Sequence, residues 1–204
     1  MYPLALVLAL VIVRGASAEP RILAFGDSLT AGFGLPRNQA FPAQLEAELR
    51  ARGVAATVLD GGVSGDTSAG GLARLDWSLA ADPEFAIVEL GANDALRGLD
   101  PAATEANLDA ILVRLKQRRI RVLLAGMRAP PNLGEDYGAR FNGIYARLAE
   151  RHGVALYPFF LDGVAMQRGL NQGDGLHPNA QGVAAIVDRI TPYVMRLVSG
   201  GKRG

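Results

Sequence analysis

The chain has 204 residues, half of them hydrophobic, with 21 basic and 20 acidic side chains and no cysteine. That length suits one domain with a sizeable core. The absence of cysteine excludes disulfides, thiolate metal sites, a thiol nucleophile and a lipidated cysteine, and two histidines leave little for a histidine-based metal site. The charges nearly cancel and no basic run stands out, so nucleic acid is not an expected partner.

Residues 1–18 read as an export signal. Leu4 to Val13 is an unbroken apolar run, and Ala16-Ser17-Ala18 fits a small-residue cleavage site before Glu19. The run is short for a membrane-spanning helix, which needs about 20 apolar residues. Met1-Tyr2-Pro3 lacks Lys or Arg, so either the signal is atypical or the true start lies upstream. The expectation is a mature domain of residues 19–204, periplasmic or secreted, with no membrane anchor once the signal is removed.

Ile22-Leu23-Ala24-Phe25 is a β-forming run that meets Gly26-Asp27-Ser28, followed by helix-compatible residues. The spacing predicts a buried strand, a sharp turn and a helix start, with Ser28 at the strand's C-terminal edge. Alone, Gly-Asp-Ser is better explained as an ordinary helix cap after a strand. Ala40 to Arg52 follows as a helix with Phe41, Leu45 and Leu49 on one face, and Val54 to Leu59 as a second strand. Asp60 to Thr67 is a Gly-rich loop, and Thr67 or Ser68 caps a helix through Leu72, Leu75 and Leu79. Glu84 to Leu90 is the third strand, ending at Gly91-Ala92-Asn93-Asp94. Pro101 opens a helix with Leu108, Ile111, Leu112 and Leu115 on its apolar face. Ile120 to Ala125 is the fourth strand, Arg128 to Gly138 a loop, Arg140 to His152 one helix, Val154 to Phe159 the fifth strand and residues 179–198 the last helix.

Strands alternate with helices and are apolar on both faces. This predicts an α/β fold: a five-stranded parallel sheet between helix layers, in flavodoxin-like order with right-handed crossovers. The loops after successive strands then gather on one edge. They carry Ser28, Gly65, Asn93, and Asp174 with His177. Acyl transfer from serine needs a nucleophile, a base, a group that orients the base and donors for an oxyanion. Ser28, His177 and Asp174 supply the first three. The N–H groups of Ser28 and Gly65 and the amide of Asn93 supply the last. Taken singly, Asn93, Gly65 and Asp174-Gly175 are as well explained as turn residues. His152 reads as a surface residue at a helix end, and Asp27 and Asp94 as caps or loop hydrogen-bonders.

The blocks Gly26-Asp27-Ser28-Leu29, Gly65, Gly91-Ala92-Asn93-Asp94 and Asp174-Gly175-Leu176-His177-Pro178 resemble the GDSL, or SGNH, hydrolases, whose letters match Ser28, Gly65, Asn93 and His177 in order. Ser64 to Ser68, Gly71 to Leu75 and Leu156 to Phe160 are similar to the exported bacterial branch of thioesterase, lysophospholipase and arylesterase enzymes. The resemblance implies a three-layer α/β/α sandwich and a Ser28–His177–Asp174 triad with an oxyanion hole at Ser28, Gly65 and Asn93. It implies no metal and no cofactor, and small acyl esters or thioesters as substrates, lysophospholipid among them. Leu96, Leu99, Pro130, Leu133, Phe160 and Leu161 are the candidate walls of an acyl pocket, and equally ordinary packing residues. Carbohydrate deacetylation on the same machinery and a non-catalytic periplasmic binding module are the alternatives.

Overall fold

The structure is a computed structural model and describes residues 19–200. The expected signal segment, residues 1–18, lies outside the described residues. Five strands form one parallel sheet: β1 (Arg21–Gly26), β2 (Thr57–Gly62), β3 (Phe85–Glu89), β4 (Arg121–Ala125) and β5 (Ala155–Tyr157). Their order is β2-β1-β3-β4-β5, the flavodoxin-like order. The order reverses between β1 and β3, so their C-terminal ends flank the crevice where such sheets bind ligands.

The eight α-helices of the described residues are α1 (Ser28–Ala31), α2 (Phe41–Ala51), α3 (Ser68–Ser78), α4 (Ala92–Leu96), α5 (Pro101–Gln117), α6 (Glu135–Asn142), α7 (Ile144–His152) and α8 (Ala180–Ser199). α2 and α8 pack on each other in one layer; α3, α5 and α7 form the other. The inner strands show why the sheet is sandwiched. Ile22 to Phe25 of β1, Phe85 to Glu89 of β3 and Val122 to Ala125 of β4 are buried without alternation, as strands covered on both faces must be. Each large apolar side chain buried there contributes about 1.5–3 kcal/mol.

Four boundaries differ from those predicted. β2 runs to Gly62 rather than ending at Leu59, because its backbone continues pairing with β1 to the Gly26↔Gly62 register. β5 is only Ala155–Tyr157, an edge strand paired to β4 alone. The expected single helix Arg140–His152 is two helices, α6 and α7, interrupted at Gly143, a residue that weakens helix interiors. α6 also begins at Glu135, inside the stretch read as loop. Among the described residues no helix is long and apolar enough to cross a membrane.

Candidate active site

β1 delivers its last residues to the crevice between β1 and β3. Gly26 has no room for a side chain: a Cβ there would meet Thr30 Oγ1, the Glu89 side chain and the Glu89 carbonyl. Only glycine permits this close approach, and it sets where the chain turns into α1. Asp27 caps α1, its Oδ1 accepting from Leu29 N–H at 3.0 Å. Ser28 is the first residue of that helix and is 8 % exposed.

The segment after β5 brings the imidazole to it. His177 Nε2 lies 3.0 Å from Ser28 Oγ, across 149 residues of sequence. His177 Nδ1 lies 2.6 Å from Asp174 Oδ2. A carboxylate accepts only, so Nδ1 carries the proton and the neutral ring offers its Nε2 lone pair to the Ser28 hydroxyl. Asp174 Oδ1 accepts from the N–H groups of His177 (3.0 Å) and Leu176 (2.9 Å). These bonds, those from His177 first, hold the Asp174 carboxyl down at about 2. Such a group stabilises the fold above the ordinary carboxylate range and loses that contribution as pH falls through about 2. Asp174 therefore stays an anion across any working pH.

The segment carrying His177 is fastened to the serine loop. Gln172 Nε2 donates to Phe33 O at 2.7 Å and to Pro178 O at 2.9 Å. The Phe33 ring lies 4.6 Å from the His177 ring, centroid to centroid. Asn171 and Pro178 form an antiparallel bridge that closes the segment into a hairpin-like loop.

The segments that follow β1, β2 and β3 carry Ser28, Gly65 and Asn93, and of these Ser28 and Asn93 line the crevice. Asn93, in α4, donates one Nδ2 hydrogen to Asp27 Oδ2 at 3.1 Å, and a primary amide has a second hydrogen to give. Among the described residues neither Ser28 N–H nor Gly65 N–H donates to a protein acceptor. Gly65 has φ +85°, a left-handed backbone that suits glycine, and its carbonyl accepts from Arg97 Nη2 at 2.8 Å. Arg74 ties this loop to the serine strand: its Nη2 donates to Gly26 O at 2.8 Å while its Nε meets Asp66 Oδ2 at 2.5 Å.

Behind the serine sits a buried acidic cluster. Glu89 Oε2 accepts from Thr30 Oγ1 at 2.7 Å, and burial, with the charge of Asp27, holds Glu89 well above the carboxylate range. Burial pushes Asp27 up to about 6, opposed by its bonds from Leu29 and Asn93. A raised acid favours the fold below its ordinary pKa, and that contribution is lost as pH rises through about 6. Asp94 is buried too. It accepts from Ser68 N–H (2.8 Å), Ser68 Oγ (2.5 Å) and Thr104 Oγ1 (3.1 Å), pinning the Asn93 loop to α3 and α5.

A cavity of about 380 Å³ opens beside Ser28, Asn93 and His177. Of the candidate pocket walls, Leu96, Pro130 and Leu161 line it, with Met127, Phe159 and Met166. Leu99 and Leu133 are not among its lining residues. Phe160 is fully buried against Phe41, ring centroids 5.1 Å apart, and so belongs to the core. His152 is not the surface residue expected: its side chain is 9 % exposed and its Nε2 meets Asp109 at 2.8 Å. Phe33, Gln172, Arg74 and Glu89 escaped sequence reasoning, because each acts through a partner far along the chain. A second cleft of about 340 Å³, between α5, β4 and α8, is lined by Lys116, Arg121, His152, Tyr193 and Arg196.

Residues 24–185 match the GDSL-like lipase/acylhydrolase family. The chain belongs to that family. Esterase TesA of Pseudomonas aeruginosa is 38 % identical over 192 residues, covering 94 % of this chain and 96 % of that one. Thioesterase 1/protease 1/lysophospholipase L1 of Escherichia coli is 38 % identical over 195 residues, covering 95 % and 92 %. Among solved structures, the SGNH-hydrolase family esterase AlinE4 is 49 % identical, with a TM-score of 0.75 over 88 % of this chain and 97 % of its own. The esterase EstA of Pseudoalteromonas sp., solved with monoethylphosphonate as inhibitor, has a TM-score of 0.83 at 30 % identity, covering 88 % and 98 %.

Proposed function

We propose that this chain is a serine ester hydrolase that cleaves acyl esters and thioesters through an acyl-enzyme on Ser28. The observation that carries this is the Ser28 Oγ–His177 Nε2–Asp174 relay beside an apolar cavity. In the first half-reaction Ser28 Oγ attacks the carbonyl carbon as His177 Nε2 takes the hydroxyl proton. The carbonyl oxygen becomes an oxyanion, held by Ser28 N–H, Gly65 N–H and Asn93 Nδ2. Collapse of the adduct breaks the bond to the leaving group; an alcohol takes the proton from His177 as it leaves, and a thiol leaves as thiolate, His177 then giving its proton to the thiolate or to solvent. Water then repeats the sequence on the acyl-serine and releases the acid. Asp174 holds the Nδ1–H tautomer and stabilises the imidazolium that forms. This chemistry requires no metal or organic cofactor.

Apolar side chains at the cavity, Leu96, Met127, Leu161 and Met166 among them, favour acyl chains over acetyl groups. On p-nitrophenyl esters, kcat/KM is expected to rise from C2 to at least C6, each buried methylene contributing about 0.8 kcal/mol, or roughly fourfold. A maximum at C2 would instead point to a deacetylase.

We also propose export. The apolar run Leu4 to Val13 and the Ala16-Ser17-Ala18 site support it. Protein recovered from outside the cytoplasm should begin at Glu19; an N-terminus at Met1 would refute cleavage.

A further inference from the structure

Exposed apolar side chains are unevenly distributed on this surface. Phe33, Val63, Leu96, Leu99, Met166 and Leu176 all stand on segments beyond the C-terminal ends of the strands. Of the exposed large apolar residues among those described, only Trp77 on α3 and Val113 on α5 lie elsewhere. Leu96, Met166 and Leu176 border the cavity at Ser28, and Phe33 lies against His177. Met166 is the extreme case. It is 86 % exposed, and its φ of +62° is a left-handed backbone that residues with a Cβ avoid. Neither packing nor backbone preference accounts for a methionine there.

Cations interleave with this apolar ring. Arg97, Arg128 and Arg168 are exposed on the same edge. Among the described residues none of the three has an ion-pair partner, whereas Arg140, Arg147 and Arg189 on the flanks are paired with Asp100, Glu105 and Asp162. Of the edge's own carboxylates, Asp66 is paired with Arg74, Asp100 with Arg140 and Asp162 with Arg189, while Asp174, beside the His177 ring, and the exposed Asp60 have no Lys or Arg partner among the described residues. Glu135 and Asp136 stand on the first turn of α6, outside the lining of the cavity. A ring of apolar side chains carrying unpaired guanidinium groups matches one kind of surface, in which hydrocarbon lies beneath anionic headgroups.

We propose that this edge docks on a lipid surface bearing anionic headgroups, with the mouth of the Ser28 cavity facing the bilayer. The apolar side chains enter the headgroup region and the three arginines meet phosphates. Docking would place the cavity where acyl chains are concentrated. It is separable from catalysis, because binding needs no reaction.

The test is flotation of the full-chain Ser28→Ala variant, which leaves lipid intact, with vesicles of phosphatidylcholine alone or enriched in phosphatidylglycerol. Binding to the anionic vesicles is expected to exceed binding to the neutral ones and to weaken with salt. Arg168→Glu and Met166→Glu should each weaken it at least about fivefold, while Trp77→Ser, away from the edge, should not change it. A Met166→Trp reporter in a Trp77→Phe background should shift its emission to the blue on anionic vesicles. Absence of binding, equal binding to both vesicles, or binding indifferent to both edge variants would overturn the proposal. So would a stable dimer that buries the edge.

Discussion

Replacing Ser28 by alanine is expected to lower kcat/KM for a p-nitrophenyl ester by about a millionfold. The fold should survive: the change removes one hydroxyl whose structural bond is that to His177, and the unfolding midpoint should stay within a few degrees of wild type. His177→Ala should cost a similar factor. The double variant should be scarcely worse than either, because hydroxyl and imidazole work as one unit and either loss removes the same step. Multiplicative losses in the double variant would mean that the two side chains act separately, and the 3.0 Å contact would then be incidental to the chemistry.

The second large effect is at Asn93. Asn93→Ala is expected to cut kcat by about a hundred- to a thousandfold with little change in KM, the loss of one donor aimed at a charge that exists only in the transition state. Asp27 makes this testable in a sharper way. Its Oδ2 accepts from Asn93 Nδ2, which fixes the carbonyl end of the amide away from Asp27. Asp27→Asn places an NH₂ where that acceptor stood, or turns its own carbonyl and forfeits the bond from Leu29 N–H. If the Asn93 amide flips in response, it presents an oxygen to the oxyanion. The expected result is a kcat loss approaching that of Asn93→Ala at unchanged KM. Wild-type kcat in both variants would remove Asn93 from the oxyanion site.

The parts of the fold that were legible in the sequence are those whose burial is symmetric. β1, β3 and β4 are covered on both faces and flanked by strands, so each is a run of apolar residues with clear ends. β2 and β5 depart from their predicted bounds because edge strands are held by backbone pairing on one side. Asp60, Gly61 and Gly62 pair with β1 without carrying any apolar signal. The stripe Phe141, Ile144, Tyr145 and Leu148 keeps helical spacing through Gly143, whose own φ and ψ remain helical, so periodicity alone does not show the interruption there. α6 begins early in Glu135-Asp136-Tyr137-Gly138, where Tyr137 is the sole large apolar residue.

The candidate site divides along the same line. Ser28, Gly65, Asn93, Asp174 and His177 stand in short local motifs at strand ends, and local motifs can be seen in one dimension. The bonds that hold them cannot. Gln172 to Phe33 spans 139 residues and Arg74 to Gly26 spans 48. Glu89 looks like the polar end of a strand until β3 pairs beside β1 and buries it behind Ser28. Phe160 and Leu161 are neighbours of similar character in the sequence. Which of the two turns toward Phe41 and which toward the cavity depends on how the chain leaves β5.

The most direct test of the central claim is covalent. The protein is treated with a fluorophosphonate, and the adduct is located by mass spectrometry of its peptides. A single adduct on Ser28, absent from Ser28→Ala and strongly slowed in His177→Ala, is the expected result. An esterase that stays fully active while Ser28 remains unlabelled, or an adduct on another residue that abolishes activity, would contradict it.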